Sequence, residues 1–266
     1  MKLKYLFLAV AVGAANVTVK AQDYDLGLFV GISTYQGDLS PGFSNGFGNA
    51  FRGVRPAIGG LARYNFNPHL SLRGNLNFGY VASYDKYGNE GTSRERRNLS
   101  FYSPLLEASG VVELNLMKYI AGSRNYKFAP YVFAGLGAFY FEPKTFYDGD
   151  RVKLRPLATE PNKSYSPISI AIPMGLGIKY NYRDNMTFGL ELGWRKTFTD
   201  YMDDVSDKYT PSAYTVTPAS SLDDKLSNRS GRRVNASSIR GNPEKGDSYY
   251  FVGVSIYKTI RPFRCN

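Results

Sequence analysis

Apolar and polar residues alternate with a period of two in eight separate stretches of the chain. Leu70 to Ala82 shows this most cleanly: Leu70, Leu72, Leu76, Phe78 and Tyr80 fall on one side, Ser71, Arg73, Asn75 and Asn77 on the other. A strand points successive side chains to opposite faces, so such a segment has one greasy and one polar surface. In the first stretch Leu26, Leu28, Val30 and Ile32 oppose Asp25, Gly27, Gly31 and Ser33. In the second Ile58, Ala62, Tyr64 and Phe66 oppose Gly59, Arg63 and Asn65, with Leu61 out of phase. Further on, Leu106, Ala108, Val112, Leu114 and Leu116 oppose Glu107, Ser109, Glu113 and Asn115, and Val132, Ala134, Leu136, Ala138 and Tyr140 oppose Tyr131, Phe133, Gly135, Gly137 and Phe139. The last three set Ile168–Ile178 against Ser169, Gly175, Gly177 and Lys179; Phe188, Leu190, Leu192 and Trp194 against Thr187, Glu191 and Arg195; and Tyr250, Val252, Val254 and Ile256 against Tyr249, Phe251, Gly253 and Ser255.

Each stretch offers roughly 9–13 alternating residues. A membrane-crossing strand needs about 9–11, whereas soluble strands cluster near 5–6. The connections alternate between short and long. Phe66-Asn67-Pro68, Met117–Lys127 and Tyr182–Asn185 are the short ones; Gln36–Gly53, Tyr84–Asn98, Glu142–Tyr165 and Asp200–Asp247 are the long ones. Short periplasmic turns and long outer loops are the pattern of outer-membrane barrels. Apolar-face aromatics fall at strand ends, with Tyr64, Phe66 and Tyr180 at the short-turn end and Tyr80, Tyr140, Trp194 and Tyr250 at the other, as two interfacial belts require. The expected fold is therefore all-β: an eight-stranded antiparallel up-and-down transmembrane barrel. Pro173 lies inside the sixth stretch and cannot donate to a ladder, so a local bulge is expected there.

The polar face separates this barrel from a soluble carrier. It holds Arg63, Arg73, Glu107, Glu113, Lys179, Glu191 and Arg195, and the other face is almost free of charge. Seven ionisable groups do not suit a dry apolar core, whereas a charge-free exterior suits lipid. An eight-stranded interior is just wide enough for side chains to fill. The seven charges are expected to meet there as a network that closes the lumen.

Residues 1–21 read as a signal peptide and 22–266 as the barrel domain. Lys2 and Lys4 precede an apolar run, Tyr5 to Ala15, that is too short to span a bilayer as a helix, and Val19-Lys20-Ala21 offers a cleavage site. Cleavage removes Lys2, Lys4 and Lys20 and no acid, lowering the formal charge from +11 to +8. Arg94-Glu95-Arg96-Arg97 is too short for a nucleic-acid arm and reads as a solvated loop. The single cysteine, Cys265, allows no internal disulfide.

Signals for chemistry are poor. His69 is the only histidine and sits in a short turn, which excludes a multi-histidine metal site and argues against a Ser-His-Asp triad. No enzyme activity, cofactor, nucleic acid or small-molecule substrate is expected. Asp200, Asp203, Asp204 and Asp207 open the longest loop with a spacing that matches no defined calcium loop. A connection as long as Asp200–Asp247 is usually functional or disordered. Its Asp200, Tyr201, Asp203, Asp204, Tyr209, Tyr214, Arg229, Arg232, Arg233 and Arg240 make it the candidate partner-contact surface.

Several stretches carry a family resemblance. They are Tyr35-Gln36-Gly37-Asp38-Leu39, Asn98-Leu99-Ser100-Phe101, Pro130–Gly137, Thr197-Phe198-Thr199-Asp200-Tyr201-Met202-Asp203-Asp204-Val205-Ser206 and Arg240-Gly241-Asn242-Pro243. With them the chain resembles the PorG-type outer-membrane barrels of the type IX secretion system. The resemblance implies a structural or anchoring component associated with the periplasmic ring of the lipoprotein PorK and its partner PorN. It transfers no catalytic residue. A small OmpA-like barrel acting as a passive channel or a surface adhesin is the alternative.

Overall fold

The computed structural model describes residues 23–40, 53–87, 96–161, 163–183, 185–210, 221–232, 234, 238–244 and 246–260. The expected signal peptide, Tyr214, Arg233 and Cys265 lie outside the described residues.

Every alternating stretch forms a strand. They are β1 (Asp23–Gln36), β2 (Arg55–Asn65), β3 (Leu70–Tyr84), β4 (Ser100–Asn115), β5 (Phe128–Phe141), β8 (Ile168–Arg183), β9 (Met186–Thr197) and β10 (Ser248–Ile260). Neighbours pair antiparallel in the order β3-β2-β1-β10-β9-β8-β5-β4, and β4 returns to β3. That last ladder runs from Leu70↔Leu114 to Tyr84↔Ser100 and closes the barrel, so no barrel strand is left as an edge.

One strand pair is additional. β6 (Lys144–Tyr147) and β7 (Asp150–Lys153) form a hairpin inside the connection after β5, joined to β4 through Tyr102↔Lys144. Its two-residue turn, Asp148-Gly149, has φ of 52° and 87°, the left-handed pair that a type I′ turn needs. A short helix, α1 (Leu222–Ser227), lies in the β9–β10 connection with Ser221 as its N-cap.

Pro173 does not produce a bulge. The β8–β9 register runs straight through Pro173↔Arg195, and the only irregularity in that ladder falls at Asn181/Arg183. On the β5 side the pairing is interrupted between Ala134↔Met174 and Gly137↔Ala171 and resumes in the same register. The missing N–H therefore costs a gap in one ladder and shifts nothing.

The outward rows are exposed and apolar all round, with Leu28, Ile58, Leu76, Leu136, Leu190 and Val254 each more than half accessible. Among the described residues these rows carry no Asp, Glu, Lys or Arg other than Arg183, Lys196 and Lys258, all near strand ends. From Tyr24 to Ile32 the outward face of β1 runs ~26 Å along the strand, about 20 Å along the membrane normal at a ~40° tilt, near the ~25 Å band of such barrels. Aromatic pairs edge this band. Tyr24–Tyr64, Tyr64–Phe66 and Phe128–Tyr180 have centroids 4.8–5.1 Å apart at the short-turn end. At the long-loop end Phe78 packs on Tyr80 at 5.3 Å and Tyr250 pairs with Trp194. Tyr140 lies between Leu106 and Ile168 in the sheet. The chain is a transmembrane β-barrel.

Inward rows alternate large rings with glycines. A Cβ on Gly135 would lie 2.0 Å from the Gly110 carbonyl oxygen, and one on Gly175 2.2 Å from that of Leu192. These two glycines let neighbouring strands approach, and Phe133 fills the space beside Gly175.

Candidate functional site

The lumen is filled from end to end. All seven inward charges found in the sequence lie in it, and an eighth, Asp25, joins them. Glu113 on β4 is the centre. The Arg63 fork reaches it with Nε at 2.9 Å and Nη2 at 3.2 Å, Arg73 Nε lies at 3.0 Å, and Lys179 donates at 2.6 Å. Arg63 also pairs with Asp25 at 3.0 Å, and Arg73 with Glu191 at 2.6 Å. Remaining acceptors are satisfied by neutral donors: Thr259 donates to Asp25 at 2.6 Å and Tyr131 to Glu191 at 2.8 Å. Nearer the long loops, Arg195 donates to Glu107 at 3.1 Å, and Tyr249 donates to the same carboxylate at 2.8 Å.

With Asp25 included, four cations face four anions, and aromatic rings cover the cations. Arg63 lies 4.4 Å from the Tyr257 ring, Arg73 5.0 Å from Phe133, Lys179 4.7 Å from Tyr131, and Arg195 4.7 Å from Phe251. A cavity of about 10 Å³, bounded by Arg73, Asn77, Glu191, Arg195 and Phe251, separates the two layers. That is room for one water, not for a file of them.

The short-turn mouth is closed by the β4–β5 connection. Tyr119 folds into the barrel, its N–H bonded to Pro68 O at 2.9 Å and its hydroxyl 3.2 Å from Thr187 Oγ1. It packs with Leu61, Ala121, Ala129 and Tyr257. In the sequence this segment is simply a turn. His69 stands exposed at this end, with Nδ1 3.0 Å from the Asn115 carbonyl oxygen.

The long-loop mouth is closed by a lid. Leu39, Leu99, Leu154, Met202, Val205 and Leu226, from separate loops and α1, pack on Phe139, Phe141, Tyr249 and Phe251 of the barrel. Polar side chains join the loops beneath the surface. Arg97 binds Asp85 through Nε and Nη2, both at 2.7 Å, and donates to the carbonyls of Asp38 and Arg240. Arg240 reaches Glu160 at 2.8 Å and the Asp204 carbonyl at 2.5 Å. Asp204 accepts from Thr159 at 2.6 Å and Tyr165 at 2.7 Å and pairs with Lys163.

Two expectations change here. Asp203, Asp204 and Arg240, assigned to an outward contact surface, are buried and hold the lid together. Arg97, assigned to a solvated loop, is a buried strut with 11% of its side chain accessible. Tyr201 is half-buried and stacks on Tyr165 at 4.8 Å, Asp200 is half-buried, and Arg229 binds Ser100 and Thr145 at 3.0 and 3.1 Å. A hydrophilic loop and a folded hydrophilic lid have similar composition. The signal that distinguishes them is the scatter of large apolar residues, Leu39, Leu99, Leu154, Met202 and Val205, among the polar ones.

Burial shapes the lid's electrostatics. It pushes the Asp200 carboxyl up to about 7, with Asp38 and Glu160 adding like charge. It raises Asp203 and Asp247 well above the carboxylate range and lowers Lys163, although Asp204 opposes the last shift.

Comparison with solved structures returns small barrels. Ail, the attachment invasion locus protein of Yersinia pestis, crystallised with the heparin analogue sucrose octasulfate, shares 9% identity at a TM-score of 0.42, covering 91% of this chain and 100% of that one. The outer membrane protein OprG from Pseudomonas aeruginosa shares 11% at 0.43, covering 91% and 98%. A major outer membrane protein from Thermus thermophilus shares 12% at 0.41, covering 91% and 100%. No curated protein matches the chain. Residues 3–219 match the family described as a domain of unknown function, DUF6089. Since that match takes in most of the sequence, the chain belongs to the DUF6089 family.

Proposed function

We propose that the protein is a closed outer-membrane barrel serving the type IX secretion apparatus as a structural anchor, attached to the periplasmic ring of PorK and PorN. The observation that carries the structural role is the obstruction of the axis. A lid, two layers of ion pairs and the Tyr119 turn follow one another along the lumen. A barrel closed in this way is suited to holding a place in the membrane and presenting surfaces at both ends. The assignment to secretion rests on the resemblance, and one feature supports it. Stretches distant in sequence that carry the resemblance, Tyr35–Leu39, Thr197–Ser206 and Arg240–Pro243, meet in the lid. Tyr35 binds Asp203, and the Asn242 N–H donates to Asp38 at 2.7 Å. The protein acts without enzymatic chemistry.

The test is affinity capture of the tagged protein from detergent-solubilised outer membranes, with the co-purifying proteins identified by mass spectrometry. Ring proteins recovered in constant ratio are expected. Recovery of the barrel alone from membranes whose ring is intact refutes the anchoring role and leaves the barrel fold untouched.

A further inference from the structure

Tyr35, at the end of β1, stands between two carboxylates of the lid. Its hydroxyl oxygen lies 2.6 Å from Asp203 Oδ2 and 2.5 Å from Asp247 Oδ1, and all three side chains are buried. A phenol has one hydrogen, which cannot lie along both contacts. If both carboxylates were ionised, one contact would set lone pair against lone pair inside a region closed to water. A second proton is therefore required, on one of the two acids.

The backbone says which. Asp203 accepts from two main-chain donors, Leu39 N–H at 3.2 Å and Val205 N–H at 3.0 Å, which favour its anion. Asp247 accepts from one, Met202 N–H at 2.8 Å, on the oxygen that does not face Tyr35. Asp247 thus carries the proton on Oδ1 and donates to Tyr35, and Tyr35 donates to Asp203. Gly37 makes the approach feasible, since a Cβ there would stand 1.9 Å from the Tyr35 hydroxyl and 2.0 Å from Asp247 Oδ1.

We propose that Asp203, Tyr35 and Asp247 form a proton-held latch that keeps the lid shut over the outer mouth and releases it as the pH rises. The surrounding charges do not replace the proton. Asp38 from the β1–β2 loop and Asp200 from the latch's own loop are acids, and Arg97 from the β3–β4 loop is engaged by Asp85. Burial, with like charge from Asp38 and Asp200, holds both latch acids above their ordinary range. The sign follows. An acid whose value is raised in the closed lid takes up a proton on closing, so closure is favoured at low pH. The advantage is lost as pH rises from the ordinary carboxylate range, near ~4, to the raised value. In that window one proton leaves on opening, and the opening constant grows about tenfold per pH unit.

The test is hydrogen exchange at the Met202 and Val205 amides in detergent micelles. Rates are divided by the intrinsic rate at each pH, so that they report opening alone. Every protein compared carries Asp200→Asn, so that the acid raised to about 7 makes no contribution, and rates are followed from pH 5 to 9. The wild-type latch is expected to lose protection by about tenfold per unit as pH rises toward its raised value, and to level off above it. Asp247→Asn is expected to keep the lid closed with no pH slope, since its amide N–H can donate to Tyr35 while its oxygen still accepts from Met202. Asp203→Asn has no such solution, because both its oxygens already accept N–H donors, and it is expected to open the lid at every pH. Protection by the wild-type latch that does not change with pH overturns the proposal. So does an Asp247→Asn variant with the wild-type slope, or one opened as widely as Asp203→Asn.

Discussion

Glu113 shows how a single residue organises the barrel interior. Three cations converge on its carboxylate, and each has its own covering ring or second acid. Taking charges out of water costs several kcal/mol per ion, and what compensates is the completeness of the network rather than any one pair. Removing a member is therefore worse than replacing the set. Glu113→Ala leaves Arg63, Arg73 and Lys179 facing each other and is expected to cost about 3–5 kcal/mol. A denaturant titration followed by the emission of Trp194, the only tryptophan, measures this. An unchanged midpoint means that the network does not hold the barrel closed. Most of this residue-scale pattern was readable from inward parity. Asp25 shares the inward face with Gly27, so its parity places it in the lumen too. Lid residues such as Asp203 and Arg97 could not be placed, because loops have no periodicity to report which way a side chain turns.

At the scale of elements, the barrel strands are the most legible part. Each places apolar side chains in lipid and polar ones in the lumen, and a one-residue slip would invert every strand, so sequence alternation and register fix each other. Pro173 shows the limit of that reasoning. A proline in a ladder suggests a bulge, yet long ladders on both sides of β8 hold the register and leave only a local gap. The β6–β7 hairpin is not legible in the sequence even though Tyr147-Asp148-Gly149-Asp150 contains an Asp-Gly turn signal, because its strands are too short to show alternation. This hairpin attaches to β4 at one register pair, by the 3.1 Å contact between the Ser100 and Thr145 hydroxyls and by the stacking of Phe146 on Tyr102 at 5.1 Å, and its Tyr147 and Val152 pack against the apolar cluster of the lid. Replacing residues 144–153 with a short Gly-Ser linker is therefore expected to leave a barrel that folds in detergent and keeps its heat-dependent shift on gels. Loss of folding would show that the hairpin is part of the barrel's core and not an appendage.

For the whole molecule, the distribution of polarity is inverted relative to a soluble barrel: charges inside and a hydrocarbon-like face outside. What results is a membrane plug with capped ends. The lid, the ion-pair layers and the Tyr119 turn close the axis independently, so loosening one leaves the others in place. Opening the latch would therefore expose the outer mouth without creating a passage. The most direct test of this account is the conductance of the purified, refolded protein in planar bilayers. A silent bilayer at neutral pH is predicted, with silence maintained when the lid loop 198–247 is shortened, because the Glu113 and Glu107 layers remain. Steady ohmic conductance from the wild-type barrel would contradict it, and would show that the packed lumen contains a continuous water path.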